Sequence, residues 1–515
     1  MTAETYIIGI DIGTTSTKVM LFSAQGRPIA QQTVEYPLLS PTPEVQEQDP
    51  YEILRAVVQG VQAIVANNPR CLSGLVALSF SAAMHSLIAV DAQGQPLTHS
   101  ITWADRRSAA WADKVRQSCN AHMLYQRTGT PLHPMLPLVK LAWLRHEQPQ
   151  LFNQAAKFIS IKEYVLYHWF EQYVVDYAVA NATGLFNMQS LDWDSEALAI
   201  AGISRDRLSQ LVPTTHVLPP LPDEITELLG LPTNLPVVVG ASDGVLANLG
   251  INAIAPGVVA VTVGTSGAVR ATVDHPQTDA QERLFCYVLT EQHWVIGGAA
   301  NSGGLILRWA RDHLVDNTCD TARLLKRDPY SLLTAIADTV PPGAAGLIFH
   351  PYLAGERSPL WDANARGSFF GLALHHTKAH LTRAVLEGIV YNLYMVLAAL
   401  QEIIGPAKSI QATGGFARST VWRQILADVF DRTVVIPETY ESSCFGAAVL
   451  GLYALGIISS LEGVADMIGE THRHQPIPEN VRKYRQILPL YQHLLQRFKA
   501  EYAAIAAIQA DLEQS

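Results

Sequence analysis

Two short turns, Gly13-Thr14-Thr15-Ser16 and Gly264-Thr265-Ser266-Gly267, each join a pair of apolar runs. Low side-chain bulk lets an oxygen anion approach the backbone N–H groups, and the hydroxyls add further donors, so two such turns facing each other across a cleft would hold a nucleoside triphosphate. Candidate contacts are Gly13, Thr14, Thr15, Ser16, Gly264, Thr265 and Ser266, with Lys18 either reaching a phosphate or standing as a solvated lysine at a strand end. No Gly-x-x-x-x-Gly-Lys-Ser/Thr motif is present, which leaves the P-loop route unsupported. Three further segments, Asn301-Ser302-Gly303-Gly304, His350–Pro359 and Ala412–Ser419, read alone as tight turns. Gly414-Gly415 ends a strand before a helix, where a nucleobase or ribose could approach the backbone.

Asp243 lies in Gly240-Ala241-Ser242-Asp243-Gly244, directly after the apolar run Val237–Val239. A carboxylate with glycines on both sides has room to orient a hydroxyl and accept its proton during phosphoryl transfer, so Asp243 is the candidate catalytic base. The same residue would also suit a plain strand-to-helix cap. Asp11 ends the apolar strand Tyr6–Asp11, where a carboxylate is costly without a partner. The Mg2+ that travels with ATP would be such a partner, with Asp243 as the second candidate metal contact; the alternative is an Asp capping its own turn. Two loops that follow strands, one with Met84 and His85 and one with Trp103, Asp105 and Arg106, bring polar groups and a flat apolar wall suited to a polyol. Singly, each reads as structural or as surface charge; together they read as a sugar site.

The elements that must position these residues alternate. Strand, turn, strand recurs at Tyr6–Phe22 and Val258–Val273, with Gly13 and Gly264 separated by 264 − 13 = 251 positions. That repeat implies a duplicated α/β architecture with two large units and a boundary near Gly244–Pro256. Leu75–Phe80 and Val237–Gly240 read as buried strands and Tyr51–Val65 as an amphipathic helix. Leu381, Val385, Ile389, Leu393 and Val396 trace another helix, and Ser419 is placed to cap a helix over Val421–Phe430. The stretch Pro213–Pro236 reads as an extended connection, and Pro489 should limit how far a helix over Tyr491–Ile505 extends backwards.

With 36 Lys and Arg against 46 Asp and Glu, the net charge of −10 argues against general binding to nucleic acid or to anionic membranes. A composition that is 49% hydrophobic and 16% charged excludes intrinsic disorder as the main state. Cys71, Cys119, Cys286, Cys319 and Cys444 are far apart with no Cys-x-x-Cys pair, so neither a zinc site nor a disulfide framework is signalled. The N-terminus has no secretory pattern, and polar residues and Pro256 interrupt the apolar region Pro236–Val269. The expected protein is soluble and cytoplasmic, with small-molecule partners and freedom to form a homodimer.

Gly367–Leu372 (GSFFGL) followed by His380–Glu387 (HLTRAVLE), together with Met135–Leu144 (MLPLVKLAWL), resembles the signatures of the FGGY carbohydrate kinases. The resemblance implies two ribonuclease-H-like domains of the actin, Hsp70 and sugar kinase superfamily flanking an interdomain cleft. They would be an N-terminal sugar-binding domain over 1–250, a C-terminal ATP-binding domain over 251–455, and a helical tail over 456–515. It further implies that Asp243 is the catalytic aspartate, that Asp11–Thr17 and Gly264–Gly267 are the phosphate loops, and that Gly414-Gly415 borders adenosine, with Gly303, Gly304 and Ser419 completing the ATP set. Ala82–Asp91, Thr102–Ser108 and Leu132–Leu141 are most similar to the gluconate kinases, although Arg106 stands where those have Asn. That implies a sugar acid as acceptor, and His85, Arg106 and Arg107 would suit its carboxylate. Xylulose, ribulose and glycerol are the rival acceptors within the family. A non-catalytic sensor using the same ATP clamp is the rival outside it.

Overall fold

The computed structural model describes residues 4–315, 318–438 and 441–514. Its N-terminal lobe is built on β1 (Tyr6–Ile12), β2 (Ser16–Ser23) and β3 (Pro28–Glu35), an antiparallel meander. Helix α1 (Pro50–Asn67) starts where Asp49 accepts from Tyr51 N at 2.9 Å and a proline fills the first helical position. Its Ile53, Val57, Val61 and Ile64 repeat at helical spacing and bury against the sheet. Next come β4 (Leu75–Ala82), α2 (Pro137–Glu147) and β5 (Val237–Ser242), which leads directly into α3 (Asp243–Gly250). Strands β4 and β5 run parallel to β1, giving the order β3-β2-β1-β4-β5 with a short antiparallel edge strand, Val217–Leu218, beyond β5.

The C-terminal lobe repeats the plan with β6 (Val258–Val263), β7 (Gly267–Val273), β8 (Phe285–Thr290), β9 (His293–Ala300), α4 (Gly304–His313), α5 (Lys378–Ile404), β10 (Ser409–Thr413), α6 (Thr420–Phe430), β11 (Val434–Pro437) and α7 (Ser442–Ala454). The sheet order is β8-β9-β7-β6-β10-β11, closed at its edge by β12 (Glu470–His474). Three antiparallel strands in the N-terminal lobe and four in the C-terminal lobe, each set followed by two parallel ones, make the duplicated plan expected from the paired hairpins. Helix α5 is long and apolar enough to cross a membrane, but most of it is buried in the core of this lobe.

Each lobe's final helix crosses to the other lobe. Helix α7 packs on β1 and β4 of the N-terminal sheet, α3 reaches β7 and β8 of the C-terminal sheet, and the two helices pack on each other. Their contact is backbone to backbone: a Cβ on Gly446 would lie 2.0 Å from Leu246 O, and one on Gly250 would lie 1.9 Å from Ser442 O. Neither carbonyl can give way without moving its helix. Gly446→Ala is therefore expected to cost about 1–3 kcal/mol by overpacking, read as a lowered unfolding midpoint. A midpoint unchanged from the parent would show that the helices can part freely.

Two expectations need correction. The segment from Pro213 to Pro236 is only partly extended, because it holds the edge strand and a helix over Asp223–Leu229. Pro489 lies inside α8 (Pro478–Phe498) rather than limiting it. The buried stripe Tyr484, Leu488, Tyr491 and Leu495, which docks on the C-terminal lobe, spans the proline and outweighs one missing helical hydrogen bond. Beyond a short 3-10 turn the chain ends in α9 (Tyr502–Gln514).

Candidate active site

Both carboxylates lie where the lobes meet. Asp11, near the end of β1, accepts from the Ser81 hydroxyl at 2.6 Å. Burial raises its pKa, and the charge of Glu441 adds to that rise. Asp243 opens α3 directly after a bulge in β5, where Gly240 takes φ +70°. The buried ammonium of Lys162 braces this bulge from behind, donating to Val239 O at 3.1 Å and Ala241 O at 3.3 Å while it pairs with Asp176 at 2.5 Å. Burial pushes the Asp243 carboxyl up to about 7, the charge of Asp11 adds to this, and Arg270 opposes it. A carboxylate set at that value can take a proton near neutrality.

The two loops of the N-terminal lobe read from sequence as a sugar site hang on one residue. Lys140 of α2 is fully buried and donates to the carbonyls of His85 at 2.6 Å, Thr102 at 2.7 Å and Ile101 at 3.2 Å. It thereby ties the Met84-His85 loop to the Trp103 loop. Burial holds both nearby histidines neutral, with pKa values lowered to about 3. His85 Nδ1 donates to Ala182 O at 2.6 Å, which leaves Nε2 as an acceptor. His133 Nδ1 accepts from Met135 N at 3.2 Å, which leaves Nε2–H as a donor. Trp103 donates to the Thr14 hydroxyl at 3.0 Å, and the Arg357 guanidinium of the opposite lobe lies 4.9 Å from the centre of its ring. Met84 lies beside Gly244, next to Asp243.

Asp105 and Arg106 of these loops, and Lys18 of β2, are placed otherwise than the sequence suggests. Asp105 is buried and already occupied by the backbone N–H of Gln46 and by Arg107, so its negative charge shapes the loop instead of receiving a hydroxyl. Arg106 is exposed on the rim beside Leu353, Gly355 and Arg366, not beside Asp243. Lys18 is half-buried, and its ammonium is taken by Glu441, to which it donates at 2.6 Å across the two lobes.

The C-terminal lobe holds a pocket of about 550 Å³ lined by Gly264, Thr265, Gly304, Gly415 and Ser419, with Leu307, Thr334 and Phe416 as apolar wall. Gly304 N donates to Gly264 O at 2.7 Å, which sets the start of α4 against the second hairpin turn. Ser266, Gly303 and Gly414 form the layer behind: a Cβ on Gly303 would strike the Ser266 backbone, and one on Gly414 would strike Val263 O at 2.4 Å. Ser419 caps α6 by accepting from Trp422 N at 3.3 Å. Position 415 differs, since a Cβ there meets nothing within 4 Å. Gly415→Leu should therefore fill the pocket without strain, raising KM for ATP about 10-fold or more while the unfolding midpoint stays put. An unchanged KM for ATP would show that the nucleotide sits elsewhere.

Residues 6–250 match the N-terminal domain of the FGGY family of carbohydrate kinases, and residues 259–455 match its C-terminal domain. The chain belongs to the FGGY carbohydrate kinases. A gluconokinase of Bacillus licheniformis is 53% identical over 508 residues, 98% of this chain and 99% of that protein. A solved gluconate kinase of Lactobacillus acidophilus gives a TM-score of 0.92 at 36% identity, over 98% of this chain and 100% of that one. A xylulose kinase of the same species gives 0.91 at 36% identity, over 97% and 100%.

Within this FGGY cleft the structure groups Asp11, Asp243, Met84 and His85 on one side and the glycine turns of the nucleotide pocket on the other. His133, Arg270, Tyr287 and Arg357 were not singled out from sequence. A signal existed for Arg270, a charged residue in the middle of the apolar strand that runs from Ala268 to Val273. Arg357 had a weaker one, as an acid-base pair with Glu356 in a loop with Gly355 before it. Glu356 is fully engaged with Asn301 N, Ser302, Asn392 and Arg357 N, and so builds the loop that carries the arginine.

Proposed function

We propose that this kinase transfers the γ-phosphoryl group of ATP to the 6-hydroxyl of D-gluconate, giving 6-phosphogluconate and ADP in the cytoplasm. The observation that carries the reading is the Asp243 carboxyl at the start of α3 where the lobes meet, buried so that its pKa is pushed up to about 7, with the charge of Asp11 adding to the rise and Arg270 opposing it. The 53% identity to a gluconokinase supports gluconate over xylulose. Asp243 takes the proton of the attacking hydroxyl, and that oxygen forms its bond to phosphorus as the bond to the leaving ADP oxygen breaks in line. Neutral His85 and His133 offer one acceptor and one donor to the chain of hydroxyls, and Trp103 forms the flat wall. The turns Gly13–Ser16 and Gly264–Ser266 give backbone donors to the phosphates.

Among the described residues no group of three or more acidic, His or Cys side chains could hold a metal alone. That suits Mg2+, which keeps most of its waters and is bound through one or two carboxylates plus phosphate oxygens. Asp11, a buried carboxylate with Ser81 on one oxygen, would hold it, with Asp243 nearby. When bound, the ion neutralises charge on the transferring phosphoryl group.

Initial rates of ADP formation with gluconate, xylulose, ribulose and glycerol test the reading. Gluconate should lead the panel. A strong preference for a neutral ketose would move the substrate to the xylulose reading, and no stimulation by any sugar would favour a non-catalytic ATP sensor.

A further inference from the structure

The C-terminal wall of the cleft carries a cation that the protein itself does not explain. Arg270 lies midway along β7, whose Ala268, Arg270 and Thr272 alternate onto one face. Asn248 of α3 donates to the Thr272 hydroxyl at 3.1 Å, so this face lies against α3. Arg270, two residues nearer the turn, then falls beside the start of that helix and Asp243. The residue is 7% exposed, its Nε has no partner among the described residues, and no hydrogen bond or ion pair there offsets its charge. A guanidinium withdrawn from water on those terms is expensive unless a ligand anion completes it. Gly297 pairs with Arg270 on β9, and a Cβ there would lie 2.7 Å from Arg270 Cα and 2.9 Å from its Cγ, so the sheet is cut back to seat this side chain.

A second orphan stands nearby. Tyr287 projects from the row of Thr272 on the same face, and its buried hydroxyl also lacks a partner among the described residues. Arg357 is held by Asn301 at 2.9 Å and by Ala300 O at 3.3 Å, and its charge acts on Tyr287, Arg270 and Asp243. Two anions are available in the proposed reaction, the triphosphate and the acid's carboxylate. The phosphate turn lies at the end of β7, three residues or about 10 Å along the strand from Arg270, and has its own backbone donors. Arg270 and Asp243 attract each other without touching. The cleft thus carries a base and, on its C-terminal wall, an uncompensated guanidinium, the two kinds of group that the hydroxyl and carboxylate ends of a sugar acid would meet.

We propose that Arg270 binds the carboxylate of the sugar acid and sets the preference for acids over neutral acceptors, with Arg357 and Tyr287 flanking that subsite. This rests on gluconate being the acceptor. The test compares kcat/KM for D-gluconate with that for D-gluconamide, which keeps the chain and the 6-hydroxyl but lacks the charge. In Arg270→Gln the ratio should fall about 100-fold, mostly through KM for gluconate, since the contact is remote from the transferring group. Arg270→Lys should recover part of the ratio, and it carries the test if the Gln variant does not fold; ADP release without sugar and the unfolding midpoint report on folding. An equal loss on both acceptors, or an unchanged ratio in both variants, overturns the proposal. Failure of the parent enzyme to phosphorylate gluconate would instead overturn the substrate reading on which it rests.

Discussion

Asp243→Asn should lower kcat by at least about 100-fold with ATP affinity nearly unchanged, because the variant loses the proposed proton acceptor while the pocket proposed for the nucleotide lies in the other lobe. Single-turnover ADP formation with saturating sugar, beside equilibrium ATP binding, measures both halves. The parent's pH profile adds an independent check. Burial and the charge of Asp11 hold the Asp243 carboxyl up to about 7, and only its ionised form accepts a proton, so the rate should fall roughly tenfold per pH unit below that value. Asp11→Asn removes one of the charges that raise this pKa, so whatever activity it keeps should have its acid limb moved to lower pH. The stability sign runs the opposite way. A folded pKa above the unfolded carboxylate value means that the folded state holds a proton the unfolded chain has released. Stability is therefore lost as pH rises from about 4 towards 7, and Asn at this position escapes the loss. The variant should be at least as heat-stable as its parent at pH 8. Near-normal turnover in Asp243→Asn would remove Asp243 from the role of base.

Lys140→Met carries the second large effect. One buried ammonium serves three carbonyls drawn from both sugar loops, and burial brings its pKa down to about 7, a cost the fold bears to join those loops. Met fills the volume but leaves His85 O unpaired, at about 1–3 kcal/mol, while Ile101 O and Thr102 O keep the backbone N–H groups of Leu87 and Asp105. Relief from burying the charge offsets part of this, leaving an expected net loss of about 1 kcal/mol. Loosening the loops by even 1 Å should lower kcat/KM for the sugar by about 100-fold. KM for ATP, set in the other lobe, should hold. A variant that loses stability but keeps sugar kinetics would make Lys140 a core residue only.

The paired hairpins were legible because a short turn between two apolar runs is a local pattern, and its repetition 251 positions later implied the duplicated sheets. Asp243 was legible for the same reason, standing between glycines at the end of a run that only a buried strand would tolerate. Lys140 was visible only as a letter in a family signature, since the acceptors it serves come from two separate loops. The proline at 489 was misjudged because helix propensity is a local cost, whereas the stripe from Tyr484 to Leu495 draws its stability from a surface on the other side of the chain.

The sequence by itself determined the architecture, the class of chemistry and the strand end that carries the proposed base, because periodicity and turn residues act between near neighbours. Tertiary structure alone decided which charges are free to act. Lys18 is occupied by Glu441, 423 positions away, and Asp105 by Gln46 and Arg107, while Arg270 Nε has no partner among the described residues. A side chain's type states the charge it can carry; whether that charge is already neutralised depends on desolvation and on partners that only the folded chain brings within reach.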